Sequence, residues 1–253
     1  MEKYHKSQFM KDIKITNGIL DTSAALELYK KYLETPKLNW AKEMKRPVRS
    51  KILKAMCETH NKIGADPVNL INQTVAAGGK LLFWSDLHFY HNNIIEYAER
   101  PFKDINQMNQ KMISNYWANV TDKDIVVFGG DIAYGSVEDT INLIKDLPGK
   151  KVLVLGNHDF DKNKSIYRDY KIFNIVTLGF VMQREVDGDI YNILVTHYPI
   201  HHEALPEKTI NLHGHIHNQL PGSRNINMSV EMINFTPVSL EKEFEELIKK
   251  IRE

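Results

Sequence analysis

Short apolar runs alternate with helical patterns from residue 79 onward. Residues 81–84, 125–128, 152–155 and 193–195 form runs rich in β-branched and aromatic side chains, which is typical of strands buried on both faces. Between these runs, residues 105–120 and 137–147 place apolar side chains at helical spacing. This order of strands and helices predicts the α/β class. Asp187-Gly188 predicts a hairpin turn, and residues 240–251 predict an amphipathic closing helix.

The first 78 residues follow a different pattern. Apolar residues recur at helical spacing over 22–34, with Asp21 or Thr22 as N-cap and Pro36 as the stop. A second apolar stripe begins after Pro47, where a helix can start. Gly78-Gly79 then interrupts the chain. We therefore predict a helical N-terminal extension over residues 1–78 and one domain over residues 79–253.

Charge separates the same two segments. Residues 1–78 hold 14 Lys and Arg against 8 Asp and Glu, a net +6, whereas residues 79–253 hold 19 against 24, a net −5. The basic side chains cluster at Lys42, Lys45, Arg46, Arg49, Lys51 and Lys54. They could form an arm for nucleic acid or nucleotide, or a face that is solvated or docked on the acidic domain, and we favour the second. The extension is also a candidate for oligomerisation or partner binding.

The single cysteine, Cys57, excludes an intramolecular disulfide and a cysteine-based zinc site. Any metal must then be held by His, Asp, Asn or Glu. Because no apolar run approaches the roughly 20 residues of a membrane helix, we expect no contact with a membrane and a cytoplasmic protein.

Residues that can bind metals follow the predicted strands at regular points. The clusters are Asp86-Leu-His88, Gly130-Asp131, Gly156-Asn157-His158-Asp159, His197, and Gly214-His215-Ile-His217. In an open α/β sheet the ligands bind beyond the carboxyl ends of the strands, so this order predicts that the clusters meet at one edge. Imidazole and carboxylate groups suit Mn, Fe, Zn or Ni.

Local spacing supports the same site. Asp86 and His88 alternate as they would at an extended strand end, as do His215 and His217, so each pair can present two side chains on one face. The glycines before Asp131, Asn157 and His215 predict tight turns and close approach of the backbone.

These five clusters resemble the signature motifs of the calcineurin-like metallophosphoesterases over about residues 80–237. The local sequence from Asp86 to Ile95, followed by Arg100-Pro101-Phe102, is similar to that of a compact branch of this family found in bacteria and their phages. The resemblance implies a four-layer αββα sandwich. It leaves the N-terminal 78 residues unexplained.

The resemblance also implies roles for individual residues. Asp86, His88 and His217 would hold one divalent metal, Asn157, His197 and His215 a second, and Asp131 would bridge them. His158 would face the substrate, where it would stabilise charge or protonate the leaving oxygen. The implied reaction is in-line attack of a metal-bound hydroxide on phosphorus, with manganese as the favoured metal and iron, zinc or nickel as alternatives.

Differences from the protein phosphatases of this superfamily restrict the range of expected substrates. Where those have Asp-Arg-Gly and a motif ending in Glu, this chain has Asp131-Ile-Ala-Tyr134 and Asp159. We therefore expect a phosphodiester of nucleotide or nucleic-acid type, with a phosphomonoester or phosphoprotein substrate and a non-catalytic scaffold as alternatives. Tyr134 is expected to be structural rather than a metal ligand, because His88 would fill the place at the metal that a tyrosine could otherwise take.

Three more residues are weaker candidates for contact with the substrate. His91 lies three residues after His88 and could point at the substrate or cap a helix. Arg100 and Arg224 could each clamp a phosphate, or form a surface salt bridge instead.

Overall fold

A computed structural model describes residues 15–16, 19–20, 67–160, 172–239, 246 and 248. The strands are β1 (Ile15–Thr16), β2 (Ile19–Leu20), β3 (Leu81–Trp84), β4 (Ile125–Phe128), β5 (Lys150–Val154), β6 (Ile175–Thr177), β7 (Gly179–Val186), β8 (Asp189–Thr196), β9 (Thr209–His213) and β10 (Asn225–Asn227). The helices are α1 (Pro67–Ala76), α2 (Ile94–Tyr97), α3 (Ile105–Asn119) and α4 (Val137–Ile144). Short 3₁₀ turns span His158–Phe160 and His202–Ala204.

The first sheet is parallel, with the strand order β3-β4-β5-β6. Its connecting helices begin at capping residues: the side chain of Asp104 accepts the Gln107 N–H at the start of α3, and Ser136 accepts the Asp139 N–H at the start of α4. Each parallel strand therefore ends at the same edge, where a loop follows it.

The second sheet has the order β10-β9-β8-β7, with β7 and β8 antiparallel and the other pairs parallel. Asp187 and Gly188 join β7 to β8 with φ angles of 51° and 80°. Two consecutive positive φ angles are the requirement of a type I′ turn, whose twist matches that of the flanking strands. The predicted hairpin is confirmed.

The described residues form two main hydrophobic cores. One lies between the two sheets, and the other lies between the first sheet and its helices. Alternate residues of β3 to β5, including Phe83 and Val127, join Ile193 and Leu212 of the second sheet. The opposite residues, including Trp84, pack against Met108, Met112 and Tyr116 of α3. Such alternation follows from the two-residue period of a strand. The predicted α/β class and packed sandwich are confirmed.

The N-terminal expectations lie mostly outside the described residues. That is the case for the helices predicted over 22–34 and after Pro47, while β1 and β2 form an antiparallel ribbon that was not predicted. Of the predicted closing helix, residues 246 and 248 are described, and both are helical. No helix in the described ranges has the length and apolar character needed to cross a bilayer.

Candidate metal centre

The predicted ligands lie in loops that follow strands of both sheets. Asp86 and Asp131 follow β3 and β4 of the first sheet, whereas His197 and His215 follow β8 and β9 of the second. The expectation of a single sheet edge is therefore wrong. The two sheets place the ends of these strands side by side, and the site forms where the two edges meet.

Backbone conformation is unusual at most of these positions. Five of the predicted ligands have positive φ: Asp86 (59°), His88 (51°), Asp131 (55°), His215 (72°) and His217 (50°). The expectation of extended pairs at 86/88 and 215/217 is wrong, because each of these residues turns the chain. Left-handed conformations of non-glycine residues cost about 1–2 kcal/mol each and concentrate at functional sites.

The first group of candidate ligands contains Asp86, His88 and His217, whose ligand atoms lie within 4.8 Å of one another. Asp86 is fully buried, and its Oδ2 accepts hydrogen bonds from Ser85 Oγ (2.7 Å) and Ser229 Oγ (2.9 Å). The His215 N–H also donates to this carboxylate at 2.9 Å. The carboxylate is thus fixed before any ligand binds.

The second group contains Asp131, His197 and His215, again within 4.8 Å. The Oδ2 atom of Asp131 lies 3.5 Å from His197 Nε2 and 3.6 Å from His88 Nε2, so one carboxylate oxygen faces both groups. Asn157 Oδ1 lies 3.1 Å from His197 Nε2. The structure therefore brings all seven predicted metal ligands together, with Asp131 between the two groups.

Two glycines allow this crowding. A Cβ atom at Gly156 would lie 2.3 Å from Asp131 Oδ1, and one at Gly214 would lie 2.1 Å from Asp86 Oδ2. Any side chain at either position would displace a carboxylate. The close approach predicted from the sequence is confirmed at both glycines.

The pKa values of the candidate ligands are shifted in different directions. Burial lowers the pKa of His88 well below its usual value, which keeps its imidazole neutral. Burial raises the pKa of Asp131, but the neighbouring His197 and His88 outweigh it and hold that pKa low. Burial lowers the pKa of His197, yet the Asp131 carboxylate raises it to about 9. His197 must therefore release a proton when it binds a metal.

An unsatisfied nitrogen of His88 indicates that the site fits a cation. Within the described part of the chain, His88 Nε2 is buried and has no hydrogen-bond partner. A buried polar atom without a partner costs about 1–3 kcal/mol, and this atom points toward an anionic carboxylate. The other donors are imidazole, carboxylate and amide groups, which bind divalent first-row metals.

His158 and Asp159 lie on the loop after β5. The backbone N–H of His158 donates to Asp131 Oδ1 at 2.7 Å, and its ring lies 5.1 Å from that of His88. Asp159 is buried and accepts the N–H groups of Asp131, Ile132 and Gly156. Burial and Asp131 raise the pKa of Asp159 to about 6. Asp159 is thus the organiser of this loop, a role that its sequence position did not reveal.

Arg100 does not reach the substrate side of the site. It is 4% exposed, and it donates to the backbone carbonyls of Asp86 (2.7 Å) and Leu87 (2.9 Å) and to Glu231 Oε1 (2.9 Å). The phosphate clamp expected for Arg100 is wrong because the guanidinium is buried, whereas the expected salt bridge forms, with Glu231, but inside the protein rather than at its surface. Glu231 Oε1 in turn lies 3.0 Å from His217 Nδ1, so the pair supports a predicted ligand.

Arg224 is engaged in the second sheet's loops. Its guanidinium donates to the backbone carbonyls of Pro206 (2.9 Å), Leu205 (3.3 Å) and His202. Arg224 was expected to clamp a phosphate or to form a surface salt bridge, and its guanidinium is instead engaged by these backbone carbonyls. The side chain ties the segment after His201 to the strand β10.

His91 lies beside the centre. Its Nδ1 is 3.3 Å from His88 Nδ1, and its ring stacks on Tyr134 at 4.4 Å with an interplanar angle of 18°. Tyr134 was expected to be structural, but it is 46% exposed at the rim of the site. Both rings thus lie where a substrate could reach them.

Comparison with known proteins identifies a matching family model and several similar proteins. A family model described as calcineurin-like phosphoesterase matches residues 79–251. An uncharacterized protein of Methanocaldococcus jannaschii is 35% identical over 64% of this chain and 88% of its own length. The Gene 66 protein of Mycobacterium phage L5 is 30% identical over 57% of this chain and 80% of its own. The solved structure of a protein of unknown function from Aquifex aeolicus matches with a TM-score of 0.50 and 26% identity, over 66% of this chain and 98% of that one.

Proposed function

The chain belongs to the calcineurin-like phosphoesterase family, and from that premise we propose that it is a two-metal phosphodiesterase acting on nucleotides or nucleic acid. The family and the clustered ligands support a metal-dependent phosphoesterase. The observation that carries the proposal is the position of Asp131, whose Oδ2 lies 3.5 Å from His197 and 3.6 Å from His88. A carboxylate oxygen that faces two donor groups could be shared by two adjacent cations, which supports a two-metal site.

Asp86, His88 and His217 would hold one metal, and His197, His215 and Asn157 the other, with Asp131 shared. When bound, such a pair supplies Lewis-acid activation of the phosphate and of the attacking water. Manganese is the favoured metal because the carboxylate and amide oxygens of Asp86, Asp131 and Asn157 suit it, while the imidazole donors leave iron, zinc and nickel as alternatives.

His158 supplies the proton chemistry. Its backbone is fixed on Asp131, and its partly exposed ring is next to that of His88. A histidine in this place can donate a proton to the oxygen that leaves phosphorus, or stabilise the charge that develops there. Asp159 keeps the loop in position by accepting three backbone N–H groups.

The positions of Arg100 and Arg224 favour a diester over a monoester. A phosphomonoester carries up to two negative charges, and a site that prefers it benefits from extra cations at the phosphate. Arg100 is buried behind Asp86, and Arg224 is bonded to loop carbonyls. Neither guanidinium is placed to neutralise a second charge.

Paired substrates test the proposal. The protein loaded with Mn²⁺ is assayed on 4-nitrophenyl phosphate and bis(4-nitrophenyl) phosphate, which share one leaving group. We expect the larger kcat/KM on the diester. A preference for the monoester would contradict the diester assignment, and hydrolysis of neither ester with metal retained would favour the scaffold alternative.

Asp131→Asn links the activity to the proposed centre. It should reduce bound metal, measured by elemental analysis, together with activity. The matched control is Asp187→Asn, because Asn-Gly also suits the type I′ turn at the opposite end of β8 from His197. The control should keep both metal and activity.

A further inference from the structure

We propose that Tyr134, together with His91 and Tyr97, forms an aromatic subsite that takes one nucleobase of the substrate. This inference rests on the proposed function and narrows the substrate to a nucleotidyl ester. The subsite lies at the rim of the metal centre and uses ring faces rather than cationic side chains.

Exposed aromatic side chains are concentrated beside the centre. Among the described residues, the exposed aromatic ones are Tyr90 (38%), Tyr97 (71%), Trp117 (54%) and Tyr134 (46%). Three of these four come from the segments that directly follow the first two ligand clusters. Exposing large rings costs hydrophobic free energy, so their concentration at one rim points to a ligand that covers them.

Local backbone pairing explains why these rings face outward. Phe89 and Ala133 form a parallel bridge, and the Tyr134 N–H donates to the Phe89 carbonyl at 2.7 Å. Phe89 and Ala133 are buried, so the next residue of each segment, Tyr90 and Tyr134, is turned to the surface. The ring of Tyr90 lies only 2.7 Å from the position of a Cβ atom at residue 135, which is glycine. Gly135 thus makes room for the ring of Tyr90.

The rings form a continuous path to the centre. The ring of Tyr134 stacks on that of His91 with 4.4 Å between the ring centroids. The ring of His91 meets that of Tyr97 edge to face, with 6.3 Å between the centroids. On the other side, Tyr134 contacts the ring of His158 at 5.9 Å. Because His158 is the residue proposed to act at the leaving oxygen, the subsite begins one ring away from the reacting phosphate.

The chemistry of this rim suits a nucleobase. Every base has a flat π-face that stacks on aromatic side chains, and imidazole and phenol edges add polar contacts. The proposed domain carries a net charge of −5, which disfavours a general attraction to a polyanion. Recognition would then come from the phosphate at the metals and one base at the rim, which fits a single nucleotide unit.

Two ligands that differ only in the base test the inference. Adenosine 5′-monophosphate and ribose 5-phosphate share a sugar phosphate, and their Kd values for the Mn²⁺-loaded protein can be measured by isothermal titration calorimetry. We expect the nucleotide to bind at least about fivefold more tightly, the lower end of the stacking effect of one base. Tyr134→Leu should remove most of this difference, and Tyr134→Phe should keep it.

Trp117→Leu is the matched control, because Trp117 is equally exposed but lies near the end of α3, which leads to the start of β4 rather than to its carboxyl end. It should keep the full preference for the nucleotide. Wild-type protein that binds the nucleotide no more tightly than ribose 5-phosphate, or that binds neither, overturns the inference. Hydrolysis of bis(4-nitrophenyl) phosphate is scored separately, so the proposed function can stand when the subsite fails.

Discussion

His158 is held differently from the buried histidines of the centre. Its backbone N–H is bonded to Asp131, while its ring stays partly exposed at the rim, between those of His88 and Tyr134. His197, in contrast, is buried and bonded through Nδ1 to the Gly129 carbonyl at 2.8 Å. A ring with this freedom can exchange protons with a substrate without disturbing the ligands.

Replacing His158 by alanine should therefore separate catalysis from metal binding. We expect kcat to fall by about 10²-fold or more on a diester with an alkoxide leaving group, the range for loss of a general acid. The fall should be smaller with 4-nitrophenolate, which leaves without needing a proton. Steady-state kinetics and elemental analysis measure both effects.

His201→Ala is the control for that experiment, because its exposed ring pairs with Glu203 at 3.5 Å. It should keep kcat within about twofold. Loss of metal from the His158 variant would show that His158 is a ligand and would contradict the assigned role.

The chemistry of single residues was predicted from the sequence better than their surroundings. Residue type and order singled out Asp86, Asp131 and His197 as candidates, because few side chains can bind a metal, and the family resemblance then supplied their ligand roles. The role of Arg100 was predicted wrongly because an arginine that binds phosphate and one that is buried on backbone carbonyls look the same in a sequence. Only tertiary packing distinguishes the two roles. Asp159 likewise shows its role only through the three N–H groups that the fold brings to it.

Elements far apart in the chain are joined by a buried ion pair behind the centre. Arg100, which lies between α2 and α3, contacts Glu231 after β10 at 2.7 Å, and their side chains are 0% and 5% exposed. Glu231 faces His217 Nδ1 at 3.0 Å. A carboxylate at this nitrogen holds the ring with its Nε2 available to a metal.

Glu231→Gln should weaken metal binding while the protein stays folded. Glutamine keeps the shape but loses the charge that orients His217, and changes of this kind typically cost 10- to 100-fold in metal affinity. Competition titration with a chelating dye measures the Kd for Mn²⁺, and circular dichroism checks the fold. An unchanged Kd would contradict the positioning role of Glu231.

A different carboxylate joins the starts of β3 and β4 at the opposite edge of the first sheet. Asp124 accepts the N–H groups of Lys80 at 2.7 Å and Thr121 at 2.8 Å. Burial raises the pKa of Asp124, but these backbone hydrogen bonds outweigh it and hold that pKa below its usual 3.8. The ionised carboxylate therefore stabilises the folded state.

Asp124→Asn should lower the free energy of unfolding by about 1–3 kcal/mol at neutral pH, because the amide cannot accept both N–H groups. A lowered pKa means that the stabilisation is complete above pH 3.8 and is lost as the pH falls through the folded pKa. The difference between variant and wild type should thus shrink below about pH 4. Urea unfolding at several pH values measures it, and a constant difference down to pH 2 would contradict this account.

Whether an element could be predicted depended on its composition. The strands β3 and β4 are apolar throughout, and the β7–β8 turn is Asp-Gly, so local patterns identified all three. The strands β9 and β10 were missed because buried asparagines interrupt them. Asn211 is satisfied by the Leu194 carbonyl and the Ile200 N–H, partners that come from distant parts of the chain. A strand stabilised in this way shows no β-propensity.

The molecule places its metal centre across the contact between two sheets. Asp86 and Asp131 follow strands of the first sheet, whereas His197 and His215 follow strands of the second. Each of the two groups of candidate ligands therefore contains residues from both sheets. Cations bound there would connect the sheets and offset carboxylates that the fold buries, in the segment whose net charge is −5.

Metal binding should therefore stabilise the whole domain, since the assembled ligand set exists only in the folded state. Mn²⁺ at 100 times its Kd adds about 2.7 kcal/mol. For a domain of this size that raises Tm by roughly 5–10 °C over the protein treated with EDTA. Calorimetry with and without Mn²⁺ measures the shift, and Asp131→Asn should remove most of it. Asp124→Asn should lower Tm in both conditions yet keep the shift, because Asp124 lies at the edge of the sheet opposite the centre. A wild-type Tm that does not respond to Mn²⁺ would mean that metal binding does not connect the two sheets.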